Sequence, residues 1–428
     1  MSVKPVQIDG RTGEGGGQLV RVAIALAAVT SQPMVINNVR GNRPGASRAG
    51  ASKTIGGGLK AQHVTAIRWL AEATDAVVDG LEVGSTTLAF TPRTPPSDAL
   101  VGRPRTITIA ADTDAASTLL ILQAILPFLL YTSNTASSSP IDLEITGGTN
   151  VGMSLSYEYL DQVLLPRLQD TFGIIIARRL KKRGWSLGPL TRGCIALTIN
   201  PLPRGQTVRL VGTDKADGDS SGSEVKYVDA SIIVPSYMHA DLQDALARAI
   251  EAAFPYAELE FKVVEDSGHD ARLYVLLVAR SASGLLWGRD VLMSAPKKGK
   301  QKKGSRIDDV AELISRRVVG DLVKELTMQG STTDEFLQDQ LVIFQALAEG
   351  ITSFPRPAVP DEGEVKVVRQ NVAQLALGEG MKRDKADKPF GQGSLHSQTA
   401  RWVASEILPS VEWYNKGTVC KGAGTRFT

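Results

Sequence analysis

The chain has 428 residues, 43% of them apolar and 22% charged, with a formal net charge of +3. That length exceeds what one hydrophobic core usually serves, so two or more domains are expected. The charge balance excludes an overall basic field, and any contact with nucleic acid must come from local clusters. Two cysteines far apart in sequence, Cys194 and Cys420, exclude a disulfide framework and show no metal-site spacing, which points to a reducing compartment. Cys194 is expected to be buried and Cys420, in a Gly/Lys-rich tail, exposed. The first residues lack the apolar run of a secretory signal. The longest apolar run, residues 119–131, is broken by Gln123 and Pro127 and is too short to span a bilayer. An intracellular soluble protein is expected, nuclear or cytoplasmic. The lysine-rich residues 297–303 read as a solvated loop or a nuclear import signal.

In chain order, residues 6–9 predict a strand, followed by the loop Gly13-Glu14-Gly15-Gly16-Gly17-Gln18. The glycines free the backbone for positive φ and for close approach of a bound group. Residues 19–29 are apolar with helical spacing, so the loop opens a helix whose N-terminus favours an anion. Glu14 is foreign to a pure phosphate cradle and suits a metal ion or a proton transfer. The spacing fits neither the P-loop nor the dinucleotide fingerprint. A strand over 34–39 ends in Arg40-Gly41-Asn42-Arg43, a rigid corner whose guanidinium forks suit phosphate, or else surface ion pairs. Residues 46–58 read as a flexible insertion. A helix over 59–73 carries Gln62 and His63 in its first turn.

Strands are predicted at 76–79, 81–83, 87–90 and 106–110, then a buried helix over 115–131. Its one polar interruption, Gln123, must find a partner, either a ligand or an internal group. A strand at 141–145 ends in Gly147-Gly148-Thr149-Asn150, a helix spans 157–172, and a strand spans 173–180. Two strands and two helices thus recur about every eighty to ninety residues, compatible with a repeated α/β module. Residues 212–223 are turn-like. Strand 227–234, helix 240–254, strands 259–264, 274–279 and 285–292 and helix 306–328 follow, so residues 212–330 read as an inserted α+β domain. The main α/β domain is then discontinuous, residues 1–211 and 331–428. A helix over 335–347 places Phe336, Asp339 and Gln340 on one face, either a base-stacking site or ordinary core packing. Residues 356–392 read as a long exposed insertion. His396 is expected at the end of a short strand, between a Gly-rich loop and a helix start.

Taken together, these motifs resemble the RNA 3′-terminal phosphate cyclases, in a eukaryotic-looking version with extra loops. The resemblance rests on the Glu14 loop with Arg21, Arg40-Gly41-Asn42-Arg43, Gln62-His63, Leu122-Gln123, Gly147-Gly148-Thr149-Asn150, the run from Asp334 to Leu341, and Leu395-His396-Ser397-Gln398-Thr399. It implies an ATP-dependent reaction. The imidazole matching His396 takes AMP from ATP, an RNA 3′-phosphate takes the AMP in turn, and the vicinal 2′-OH closes a 2′,3′-cyclic phosphate. A histidine with the ordinary pKa of about 6.5 has a free nitrogen at neutral pH. The resemblance further implies that Glu14 binds Mg2+ or Mn2+ and that Arg21, Arg40, Arg43 and Gln62 hold phosphates. Phe336 would stack the adenine, Asp339 and Gln340 would line the nucleotide pocket, and Gln123 would be a further pocket residue. Leu155 stands where relatives carry proline on the opposite adenine face, and Asp112-Thr113-Asp114-Ala115-Ala116-Ser117 replaces a more Gly-rich loop. A related cyclase-like group in ribosome assembly shares the fold with a scaffold role. That group lacks the Glu-Gly-Gly-Gly-Gln loop and the histidine, and both are present here, which favours the enzyme.

Overall fold

The computed structural model describes residues 4–43, 57–133, 139–211, 224–294, 307–328, 330–356 and 381–427. Most of the expected insertion at 46–58, the turn-like stretch 212–223, the basic run 297–303 and residues 357–380 lie outside the described residues.

Two modules of the same design open the chain. The first is β1 (Val6–Asp9), α1 (Gly17–Thr30), β2 (Met34–Asn37), α2 (Ala61–Thr74), β3 (Val77–Asp79) and β4 (Leu88–Thr91). Its sheet runs β1-β2-β4-β3, with β1 and β2 parallel and the remaining pairs antiparallel. After the short α3 (Pro96–Ala99), the second module comprises β5 (Thr106–Ala110), α4 (Thr118–Leu129), β6 (Ile141–Gly147), α5 (Tyr157–Tyr159) continuing into α6 (Leu165–Phe172), β7 (Ile176–Lys182) and β8 (Gly193–Ile199). Its sheet order, β5-β6-β8-β7, and its pairing directions repeat the first. The recurrence read from the sequence is therefore a topological repeat of a β-α-β-α-β-β unit.

Residues 225–326 form a third layered unit from β9 (Val225–Val234), α7 (His239–Ala253), β10 (Glu258–Asp266), β11 (Leu273–Ser281), β12 (Leu286–Met293) and α8 (Ile307–Leu326), with strand order β10-β9-β11-β12. Strands β9 and β11 are buried along most of their length because both faces of the sheet are covered. Val228, Ile232, Val275 and Leu277 pack with Leu242, Leu246, Ile314 and Val318 of α7 and α8. The intervening Ile233, Tyr274, Leu276 and Val278 join the main core instead. The chain then returns through α9 (Glu335–Leu347), β13 (Ile351–Ser353), α10 (Leu395–Ile407), β14 (Glu412–Tyr414) and β15 (Val419–Lys421), the last sheet running β13-β15-β14.

The main core is built around α1, whose residues from Gln18 to Val29 are all buried. Alanines at 23, 25, 27 and 28 keep it slim, so that α10 and α4 pack closely on either side.

Several expectations are corrected. Residues 81–83 form an irregular turn, with Val83 exposed. The helix expected over 157–172 contains a π turn at Leu160–Leu164, just before Pro166, which has no N–H to continue the α ladder. Residues 115–117 precede α4, and Ser117 caps it by accepting from Leu120 N at 3.2 Å. Cys420 is fully buried in β15, whereas Cys194 is half-buried. The end of the expected insertion at 356–392 is packed: Asp384 N donates to Trp413 O at 2.8 Å, and Gln392 N to Lys416 O at 2.7 Å. Among the described residues, no helix is long and apolar enough to cross a membrane.

Asp334, the α9 N-cap, accepts from Leu337 N (2.9 Å), Tyr159 Oη (2.7 and 2.9 Å) and Gly288 N of β12 (2.8 Å), all within the core. Asp334→Ala strands these donors, each worth about 1–3 kcal/mol when buried and unpaired. Asp334→Asn keeps an acceptor. Urea unfolding should show Ala losing on the order of 3–5 kcal/mol and Asn clearly less. Equal losses would contradict the account.

Candidate active site

The loop before α1 turns twice through positive φ, at Gly13 (67°) and Gly15 (53°). The turn folds the Glu14 side chain inward, where its Oε1 accepts from Gln18 N at 2.8 Å. The α1 N-cap, Gly16, supplies no side-chain cap. A Cβ on Gly17 would sit 2.6 Å from Arg21 Nη1 and 2.9 Å from His63 Nε2. Only glycine lets these groups close around the helix start.

Helix α10 holds the loop from the other side. Thr399 Oγ1 accepts from Glu14 N at 3.0 Å, across 385 residues of sequence. One turn earlier on the same face stands His396, whose Nδ1 lies 3.5 Å from Glu14 Oε2. His396 is the second residue of α10 and is not at a strand end. Ser394 is the N-cap, accepting from Ser397 N at 3.0 Å. The His396 side chain is 41% exposed, and that of Glu14 only 2%. The imidazole is accessible and the carboxylate beside it is not.

Arginines complete the site. Arg43 Nη2 pairs with Glu14 Oε2 at 2.5 Å. Arg40 takes a left-handed conformation (φ 54°) and donates to Gly58 O at 3.2 Å. Arg21 is buried and donates through Nε to Gln123 Oε1 and through Nη2 to Gln18 Oε1 at 2.9 Å. Burial would raise the Glu14 pKa, but His396, Arg43 and Arg21 outweigh it and hold the carboxyl below its ordinary value. Arg21 is pushed down to about 10, chiefly by burial and also by Arg40, against the pull of Glu14 and Asp339. Arg40 is lowered by burial, then by Arg43. Three guanidinium groups gather near one buried carboxylate, which only Arg43 contacts directly, and the helix start adds partial positive charge. The site is short of an anion.

The structure brings Glu14, Arg21, Arg40, Arg43 and His396 together. Gln62 is half-buried on the first turn of α2. His63 beside it is buried, with Nδ1 accepting from Lys60 N at 3.1 Å. Burial, Arg21 and Arg40 drive its pKa well below 6.5, so the ring is neutral and carries its proton on Nε2. That Nε2 has no partner and faces the start of α1. Gln123 is satisfied internally, by Arg21 and by its Nε2 donating to Gln18 Oε1 at 3.0 Å. It also lines an apolar cavity with Leu119, Leu122, Leu155, Gln340 and Ile343. Phe336 is half-buried on the first turn of α9, its ring nearly perpendicular (77°) to that of Tyr159 with centroids 6.1 Å apart. Asp339 faces away from solvent and accepts from Ser394 Oγ (2.5 Å) and Ser397 Oγ (2.7 Å), locking α9 to α10.

The sequence motifs include Gln18, Ser397 and Thr399 but assign them no role in the site. Gln18 ties Arg21, Gln123 and, through Nε2, Asp339 O at 3.2 Å. Thr399 and Ser397 could have been found by starting the helix at Leu395, since the pattern Ser394-Leu395-His396-Ser397 is an N-cap signal.

An accessible imidazole beside a carboxylate, facing an anion cradle, equips a protein for chemistry at phosphorus. Comparison with known proteins narrows this. Residues 12–410 match the family model described as RNA 3′-terminal phosphate cyclase. The chain is 30% identical over 345 residues to the RNA 3′-terminal phosphate cyclase of Thermococcus kodakarensis, covering 81% of this chain and 86% of that one. It is 32% identical over 356 residues to the Methanosarcina mazei protein of that name (82% and 89% covered). It is 28% identical over 393 residues to the Drosophila melanogaster one (91% and 95%). The chain belongs to the RNA 3′-terminal phosphate cyclase family, and it is an enzyme of that family.

Burial raises the Asp339 carboxyl to about 6, against the lowering by Ser394, Ser397 and His396. An unfolded aspartate titrates near about 3.9, so the folded state favours the neutral acid. Its contribution to stability is complete below the unfolded value and is lost as pH rises through the folded one. Asp339→Asn keeps the acceptor for both serines without titrating. Thermal unfolding from pH 4 to 8 should show the wild type losing ground to Asp339→Asn as pH rises. A constant or reversed difference would contradict it.

Proposed function

We propose that the protein converts an RNA 3′-terminal phosphate to a 2′,3′-cyclic phosphodiester at the expense of ATP, with His396 as the nucleophile that carries AMP. The observation that supports this most directly is the pairing of His396 with Glu14, where Nδ1 faces a carboxylate held below its ordinary pKa by His396 itself and by Arg43 and Arg21. A neutral imidazole with its proton on Nδ1 leaves the Nε2 lone pair free. Attack of Nε2 on the α-phosphorus forms the N–P bond, breaks the bond to the bridging oxygen and releases pyrophosphate. The ring becomes a phosphorylated imidazolium that keeps its Nδ1 proton, and Glu14 offsets the new charge. An RNA 3′-phosphate oxygen then displaces the imidazole, which returns neutral. The 2′-hydroxyl closes the cycle as AMP leaves with its electron pair and the hydroxyl proton passes to solvent.

Arg40 and Arg43, beside the start of α1, have the charge and forked geometry to hold the phosphates. His63 Nε2–H is a donor at that helix start, and Gln62 on the same helical turn as His63 is a further donor. Phe336, Leu155 and Gln340 supply apolar and amide surface for the base, with Asp339 holding the floor through Ser394 and Ser397. Among the described residues, no group of three His, Cys, Asp or Glu could hold a metal ion. Glu14 alone fits the usual habit of Mg2+ or Mn2+, which takes one carboxylate and substrate phosphate oxygens. Such an ion would neutralise charge on the departing pyrophosphate.

A 3′-phosphorylated oligonucleotide with ATP and Mg2+ should yield a cyclic end. His396→Ala should abolish turnover without altering the melting curve. Arg40→Ala and Arg43→Ala should each lower the rate about 100-fold, the scale of losing one charge-stabilising donor. Unimpaired cyclisation by His396→Ala would leave the scaffold role of the cyclase-like group as the better reading.

A further inference from the structure

The inserted unit reaches into the nucleotide site at one point, where β12 passes beneath the start of α9. Gly288 N donates to the α9 cap Asp334, and a Cβ at Gly288 would lie 2.7 Å from Tyr159 Cε2, so the strand lies close to the start of α9 and against Tyr159 of α5. The next residue is Arg289. Its guanidinium carbon lies 4.4 Å from the centroid of the Phe336 ring. Its Nη2 donates to Glu335 Oε2 at 3.1 Å and to Glu325 Oε1. Glu325 is buried and also accepts from Arg356, at 2.9 and 3.2 Å. Arg289 Nε makes no hydrogen bond. The guanidinium is therefore anchored at one end by carboxylates from α8 and α9 and laid over the aromatic ring by the rest of its plane.

The geometry points to Arg289 as a positioning residue for nucleobase binding, contributed by the insertion and acting through Phe336. This inference rests on the reading that Phe336 stacks the base. One ring face is occupied by Arg289, so a base that stacks on Phe336 has only the opposite face to use. With its Nη2 tied to Glu335 and Glu325, the cation keeps the ring from swinging about its χ1 and χ2. It also links the insertion to the first turn of α9, on which Phe336 is carried. Preorganised stacking of this kind acts on binding of ATP and leaves the phosphoryl chemistry at His396 alone.

The test is single-turnover self-adenylation of the full chain, titrated with ATP in the presence of Mg2+. Arg289→Met removes the charge and keeps an apolar stem. Arg289→Lys keeps compensation for the glutamates but replaces the flat plane with a point charge, and serves as the folding-safe variant. Both should raise the half-saturating ATP concentration, by about tenfold for Met. The maximal adenylation rate, and the rate of cyclisation from preformed adenylated enzyme, should stay within about twofold of wild type. Phe336→Ala should raise half-saturation as well, and Phe336→Ala with Arg289→Met should be no worse than Phe336→Ala alone. Wild-type half-saturation in Arg289→Lys and Arg289→Met, with Phe336→Ala impaired, overturns the role of Arg289 while leaving the stacking reading in place. An unimpaired Phe336→Ala overturns the stacking reading itself. A lowered melting temperature with unchanged ATP dependence marks Arg289 as merely structural and also overturns the inference.

Discussion

The site depends on one backbone contact, the hydrogen bond from the Glu14 amide to Thr399. The glycine loop has no regular structure of its own, and its two left-handed residues would sample many conformations in isolation. Thr399 fixes it against α10, and because α10 is a helix, the same contact sets the distance from Glu14 to His396 one turn away. Two parts of the chain that meet only on folding thereby become one chemical unit. The slim, alanine-rich α1 makes that approach sterically possible. Ser394, Ser397 and Asp339 then fix α10 against α9, so the imidazole is carried on a helix braced from two sides.

Charge completes what packing begins. Arg21 is buried among amides and Arg40 and Arg43 crowd each other, arrangements that raise the energy of the free site. Glu14 relieves part of that strain and in return is held below its ordinary pKa. The remaining surplus of positive charge is the physical reason a polyphosphate would bind here. A carboxylate at the centre of an anion site is costly in isolation, and here His396, Arg43 and Arg21 offset that cost.

Much of this was legible in the sequence where local rules govern. Helix α9 begins and ends where its spacing and its Asp334 cap predict, and the sheet repeats follow from apolar runs punctuated by Gly-Gly. Strand β8 escaped notice because the side chains of Gly193-Cys194-Ile195-Ala196-Leu197-Thr198-Ile199 that face outward are small or only half-buried, so polarity barely alternates. His396 was displaced by one element because the glycines before it look like a loop after a strand, whereas the Ser394 cap decides the matter. Cys420 was misjudged for a similar reason: its polar neighbours suggest a tail, yet β15 is sandwiched between β13 and β14. Contacts such as Thr399 with Glu14, or Arg289 with Phe336, join residues with no local relation, and no single-chain pattern encodes them.

The central claim is that His396, set beside Glu14, is where AMP becomes attached. Incubating the protein with ATP and Mg2+, digesting it under alkaline conditions and sequencing the peptides by mass spectrometry reads this directly. One adenylyl group on the peptide containing His396, acid-labile as a phosphoramidate should be and diminished in Glu14→Gln, is the predicted result. An adenylyl group on any other residue, or none on a folded protein that still cyclises RNA, would contradict it.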